Sequence, residues 1–392
     1  KEHSPGGSVT LKPGEEGVIV ATLRVTPWML DKPVELVGMR GYPSALGGGT
    51  FSVRKTAEIH VFLGEPGEPA AFELVRIEAE TEPLTLLKAD GFLPFVDRFG
   101  QFAHADWPGK VHTDDELALS KTAEAAWLDA AAAMPDRDRW GGWAKGPQLR
   151  ATGHFRVEKV GGTWWLVDPD GRLFFSHGID CVRHGSETGI TGRESYFAWL
   201  PQAGAPEAAF YGKSGYAAHG YYKEISSYKT FDFARANLLH KYGPQWQEAF
   251  VDLAHRRIRA WGLNTVANWS DPKVYLQDRT PYTACLGTSG PRIEGSNGWW
   301  GKFVDPFTPA FAESIRKRAL EQQTAGTAND PWCIGYFVDN EISWGNNDRS
   351  LAVATVMSPA AQPAKLAFKV WLEKKYAAPA ALNAAWGTAL AS

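Results

Sequence analysis

The hydrophobic pattern of the chain is clearest at Cys333-Ile334-Gly335-Tyr336-Phe337-Val338, an apolar run that stops at Asp339, Asn340 and Glu341. A near-continuous run of this length predicts a strand buried on both faces of a parallel sheet. In an eight-stranded α/β barrel the carboxyl ends of the strands line the active site, so polar residues arriving where the run stops are candidates for chemistry. Trp344 follows three residues later. The same logic recurs upstream. Phe174 and Phe175, followed by Ser176, His177, Asp180 and Arg183, predict a first strand and its loop. Leu263 to Trp269 predicts a second strand that ends in Asn268 and Trp269. Tyr282 to Leu286 predicts a third, whose loop carries Trp299 and Trp300 towards Asp305.

Helical periodicity fills the gaps. Gln247 to Trp261 places Phe250, Val251, Ala254, Ile258 and Trp261 on one side, with Gly262 as its stop. Thr308-Pro309 opens another helix, with Phe311, Ile315, Ala319 and Leu320 along its apolar side. Lys365 to Tyr376 is a third, and ALNAAWGT follows it. Strand, loop and helix in alternation predict a parallel α/β sheet, here a (β/α)8 TIM barrel occupying residues 151–392. Only four strands are found, so the barrel reads as truncated, its N-terminal part alone being present. A doubly wound open sheet is the competing topology, but no Gly-rich phosphate fingerprint follows any strand.

Ahead of this region the period changes from helical to alternating. Residues 1–90 carry short β-like segments such as AEIHVFLG, with Gly/Pro-rich turns between them, and predict a β-sandwich like a carbohydrate-binding module. It could bind glycan or buttress the next domain. Residues 91–150 read as a connector with one helix, capped by Thr113 with Glu116 three residues on and continuing through the Ala-rich run to Ala133. A hairpin follows, HFRVEKV and TWWLVDPDG around Gly161-Gly162. Ser186 to Tyr242 has weak periodicity and reads as a large first βα insertion over the active face.

Composition narrows the partners. A net charge of -3 with 22% charged residues points to no nucleic acid or anionic membrane surface. No apolar run approaches the ~18 residues of a membrane span. The absence of an initiator Met and of a signal pattern at Lys1 fits a processed product or a fragment. Cys181, Cys285 and Cys333 match neither a disulfide framework nor a metal-ligand spacing and read as buried free thiols; no metal or other cofactor is implied. The 17 Trp change the picture most, because flat indole faces suit sugars; about half are assigned to the core.

An Asn-Glu pair at a strand end suits glycoside hydrolysis, in which a carboxylic acid protonates the departing sugar oxygen. A solvated turn after a core strand is the bland alternative. Asp180, Arg183, Asn268, Trp269, Trp300 and Trp344 fall in loops after strands and could line the same cleft. Arg183 could equally be an ion-pair partner and Trp269 a core plug. His177 reads slightly better as a core histidine than as a substrate donor.

The segments DRFGQFAHADWPGK, WWLVDPDGRLFFSHGIDCV and IGYFVDNEISWG resemble those of the family 50 glycoside hydrolases, the β-agarases, and the resemblance covers most of the chain. The tail, WLEKKY through LNAAWGT, is also similar to the family 42 β-galactosidases. Both are families of clan A, retaining barrel enzymes with an Asn-Glu pair at the end of strand four. The resemblance implies Glu341 as general acid/base, Asn340 as the residue holding the sugar 2-hydroxyl, a polysaccharide or oligosaccharide substrate, and a secreted or periplasmic location. It also implies a nucleophilic Glu at the end of strand seven. No residue here corresponds to it, so the chain is expected to be an inactive fragment of a hydrolase of β-linked galactose polymers. The alternatives are a β-galactosidase-like hydrolase of another galactan and a non-catalytic glycan-binding protein.

Overall fold

The computed structural model describes residues 9–19, 59–64, 68–78, 93–131, 134–217, 222–223, 225–298, 300–342, 344–346 and 349–391. In chain order the elements begin with α1 (Asp114–Ala130), β1 (Arg156–Val160), β2 (Thr163–Val167), β3 (Leu173–Phe174), β4 (Gly178–Ile179), β5 (Thr188–Gly189), β6 (Tyr211–Ser214) and β7 (Tyr228–Phe231). They continue with α2 (Phe233–Tyr242), α3 (Trp246–Ala260), β8 (Thr265–Val266), α4 (Pro272–Tyr275), β9 (Tyr282–Leu286), α5 (Pro309–Thr324) and β10 (Cys333–Val338). A short hairpin of β11 (Gly345–Asn346) and β12 (Arg349–Ser350) leads into α6 (Leu351–Met357), α7 (Pro363–Tyr376) and α8 (Pro379–Trp386). The chain divides into two compact units, residues 1–117 with 185–240, and residues 118–184 with 241–392.

Most of the sandwich expected over residues 1–90 lies outside the described residues. The described part of the first unit is organised by β7, which pairs antiparallel with β5 on one side and β6 on the other. Phe231, at the end of β7, is buried with Ile190, Phe233 and Ala236, and Phe233 stacks on Phe197 at 5.6 Å between ring centroids. The segment read as a loop insertion therefore has a sheet and an apolar core of its own. Its weak periodicity reflects short strands joined by long turns.

The second unit contains the predicted α/β alternation. β4, β8, β9 and β10 form one parallel sheet in the spatial order β10-β9-β8-β4, so neighbours in sequence are neighbours in space. Sheet and helices are mixed, and no closed barrel is formed among the described residues. The first parallel strand is Gly178–Ile179, not the Phe174-Phe175 pair. Leu173 and Phe174 instead pair antiparallel with Val167 and Leu166, adding a third strand to the β1-β2 hairpin. Arg172 to Ile179 supplies two short strands to two sheets, which periodicity over eight residues does not separate. Gly178 is required where it stands, because a Cβ there would lie 2.0 Å from the Thr265 carbonyl oxygen of β8.

The core of this sheet is Ile258 from α3 against Val266, Tyr282 and Ala284. Helix α3 ends as predicted. Gly262 adopts φ +77°, its N–H reaches the Arg259 carbonyl at 3.0 Å, and the Leu263 N–H reaches Ile258 at 2.9 Å, which is a Schellman closure. Trp261, assigned to the apolar side, is instead exposed, as is Leu320 on α5. Few of the tryptophans among the described residues are core. Trp140 and Trp246 are buried, whereas Trp143, Trp164, Trp269, Trp300, Trp344, Trp371 and Trp386 are exposed. β10 differs from the strand expected to be buried on both faces. Tyr336, Phe337 and Val338 are exposed, because among the described residues β10 is the outermost strand of the sheet and pairs only with β9.

Candidate active site

The four parallel strands run in the same direction, so Asp180, Asn268, Thr288 and Asp339 to Glu341 all follow carboxyl ends at one edge of the sheet. The edge is held by cross-strand hydrogen bonds. Asp180 accepts the Asn268 N–H at 3.1 Å, and the Cys181 N–H donates to the Asn268 carbonyl at 2.7 Å. Asn268 is buried, and its carboxamide oxygen accepts the Thr283 hydroxyl at 2.8 Å. Its side chain ties β8 to β9 within the sheet. At the other side, both oxygens of Asp339 are engaged by Thr288, one by the backbone N–H at 2.6 Å and one by the hydroxyl. Neither Thr288 nor Thr283 was singled out from sequence. Each carries a hydroxyl whose partner lies on a neighbouring strand, which local pattern does not reveal.

Glu341 is exposed, and its carboxylate accepts the indole N–H of Trp300 at 2.5 Å. Trp300 comes from the loop after β9 and Glu341 from the loop after β10, so two separately predicted candidates meet. Trp344 packs against Phe303 of the same β9 loop, ring centroids 5.2 Å apart, and remains 66% exposed. Asn340 is exposed beside them. On the far side of the sheet, Trp269 and Arg183 are exposed, and the Arg183 side chain makes no hydrogen bond or ion pair among the described residues. His177 is exposed, not core; among the described residues only its backbone is engaged, by Asn264.

Backbone strain collects at this edge. Cys181 (φ 56°), Trp269 (φ 58°), Asp339 (φ 57°) and Glu341 (φ 49°) all adopt the left-handed region without being glycine. Such conformations cost on the order of 1 kcal/mol or more each and persist where surrounding contacts hold them. Here those contacts are the Asn268, Thr288 and Trp300 hydrogen bonds. Of the three cysteines, Cys181 is exposed and the others half-buried, against the expectation of three buried thiols. Burial pushes the Cys333 thiol up, away from the thiolate form a nucleophile needs. Among the described residues no three His, Cys, Asp or Glu side chains converge as a metal site would require. No helix among them is long and apolar enough to cross a membrane.

The arrangement presents the Glu341 carboxylate, the adjacent Asn340 carboxamide and several indole faces on a strand-end platform. No family model matches the chain. Beta-agarase B of Vibrio sp. (strain JT0107) is 34% identical over 420 residues, covering 98% of this chain and 43% of that protein. Beta-agarase A of the same strain is 30% identical over 433 residues, covering 98% of this chain and 42% of that protein. The chain thus spans less than half the length of these relatives. A solved exo-β-agarase superposes with a TM-score of 0.71 at 32% identity, over 79% of this chain and 48% of that one. A crystallised agarase gives 0.67 at 29%, over 79% and 47%. Matched along nearly all of its own length, the chain is related in sequence and fold to the β-agarases of glycoside hydrolase family 50.

Proposed function

We propose that the chain carries the acid/base half of a retaining glycosidase that cleaves β-linked galactose polymers of the agarose type. The observation that carries this reading is Glu341, an exposed carboxylate beside Asn340 at the carboxyl end of the fourth parallel strand, in a chain whose relatives are named β-agarases. In the first step Glu341 donates its proton to the departing glycosidic oxygen. In the second it takes a proton from the water that releases the sugar. Asn340 holds the 2-hydroxyl, and Trp269, Trp300 and Trp344 offer ring faces to the pyranose. Asp180 and Asn268 position the first two strand ends, and Arg183 is available to a substrate hydroxyl.

The nucleophile is the missing part. A retaining mechanism needs a second carboxylate ~5 to 5.5 Å from the first. Asp180 and Asp339, the other acids at this edge, are held by backbone N–H groups. The sheet order fits the first four strands of a (β/α)8 barrel, and the open edge of β10 could receive a fifth. The nucleophile then belongs to the part of the relatives that this chain does not span, residues 1–90 to a carbohydrate-binding-type sandwich, and the protein to a secreted or periplasmic setting.

The test is hydrolysis of agaro-oligosaccharides by the chain alone, by a polypeptide extended to the length of the relatives, and by that polypeptide with Glu341→Gln. The chain alone is expected to give no turnover, the extended form to turn over, and Glu341→Gln to lose on the order of 10² to 10⁴ in rate, as removal of a general acid does. Unchanged turnover by Glu341→Gln would overturn the reading.

A further inference from the structure

We infer that the first unit carries a binding site for a neutral oligosaccharide, formed by residues of that unit alone. A cavity of about 620 Å³ opens there, within the ~300 to 1,000 Å³ range of small-molecule sites. Arg98, Trp199, Gln202 and Glu207 supply its walls together with the turn at 201–205.

The two charged walls are the ends of one hydrogen-bonded series. The Arg98 guanidinium donates to both oxygens of Asp114, at 3.0 and 2.8 Å. Asp114 meets His240 Nδ1 at 3.1 Å, and His240 Nε2 meets Glu207 at 2.5 Å. The His240 contact holds the Glu207 carboxyl below the usual carboxylate range, so this wall stays an acceptor at neutral pH. Asp114 already balances the Arg98 guanidinium and Glu207 adds a second carboxylate, so the series holds no excess positive charge to attract a phosphate or sulfate. What remains is hydrogen-bonding capacity fixed in direction, since each charged side chain is oriented by the next. Gln202 adds a carboxamide with no side-chain partner among the described residues, and Trp199 adds an indole. Carboxylate, guanidinium, carboxamide and indole around a roomy cavity match the donors, acceptors and apolar faces of a pyranose.

The assignment does not depend on the role of Glu341. It is tested by isothermal titration calorimetry of the whole chain carrying Glu341→Gln, with a neutral galactan tetrasaccharide and maltotetraose as probes, and inorganic phosphate and a sulfated galactan tetrasaccharide as controls. A neutral probe is expected to bind with an affinity little altered by salt. Gln202→Ala should weaken binding about fivefold, and Ala205→Trp, which pushes an indole into the cavity from its wall, should weaken it at least tenfold with the circular dichroism spectrum unchanged. Three results would overturn the assignment: no binding of either neutral probe, preferential binding of a control, or binding that both substitutions leave intact. Each is distinct from a failure of the hydrolysis assay, which reads Glu341.

Discussion

Trp300 reaches Glu341 through its indole N–H, which separates two roles that a tryptophan near a sugar site can have. As a platform only its ring face matters; as a partner of the acid its N–H orients the carboxylate. The second role has a direct signature in the chain as it stands. One indole N–H resonance is expected to follow the ionisation of Glu341 in a ¹⁵N-resolved pH titration, and that dependence should vanish in Glu341→Gln. An indole resonance with the same titration in the variant would remove the contact from consideration. The positions of Asn340 and Glu341 were legible because polar residues abut an apolar run, a signal confined to one stretch of chain. The Trp300 contact was not, since its two residues are 41 apart and only the parallel pairing of β9 with β10 brings their loops together. The same reason hid the inward turn of Asn268 towards Thr283.

At the scale of elements, β9, β10 and helices α3, α5 and α7 were readable, because each is long enough or periodic enough to declare its type, whereas β8 was found only inside the longer stretch Leu263 to Trp269. The split between β3 and β4 was not readable, because two-residue strands have no period and are defined by partners elsewhere. Between elements, the Thr288–Asp339 contact fastens the end of β9 to the end of β10 and holds Asp339 in its left-handed conformation. Thr288→Val keeps the shape and the backbone donor but removes the hydroxyl. It leaves one oxygen of a half-buried carboxylate without that donor, a loss of about 1 to 2 kcal/mol. The urea midpoint should fall accordingly. Ser, which restores the hydroxyl, should recover most of the loss, and an unchanged midpoint in Thr288→Val would mean that the two strand ends are held by other contacts.

For the molecule as a whole, two buried groups of the second unit oppose each other as pH changes. Asp138 and Asp168 sit in matching turns. Each accepts two backbone N–H groups on one oxygen, from Trp140 and Gly142 and from Asp170 and Arg172, while their other oxygens are buried and receive no N–H among the described residues. Burial first, and then the hydrogen bond with Asp138, pushes the Asp168 carboxyl up to about 7, so the folded state retains a proton there. The stability this contributes is complete below the ordinary value of 3.8 and is lost as pH rises through about 7. His255 runs the other way. Its Nε2–H donates to the Val274 carbonyl and its Nδ1 accepts from Thr280. Burial, with Arg279 and Arg259 nearby and Asp252 acting against them, lowers it to about 4. Its contribution is complete above the ordinary 6.5 and is lost as pH falls through about 4. Each effect is on the order of 3 to 4 kcal/mol, so between about pH 4 and 6.5 the slopes offset and the parent protein should show a shallow stability profile. Asp138→Asn separates them. Its amide oxygen can keep both backbone donors while its NH₂ donates to Asp168, replacing a titratable proton with a permanent one. The melting temperature of Asp138→Asn should therefore climb between pH 5 and 7, exposing the His255 slope, and should exceed that of the parent at pH 8. A variant whose profile merely parallels the parent would show that the two carboxyls do not share a proton in the folded state.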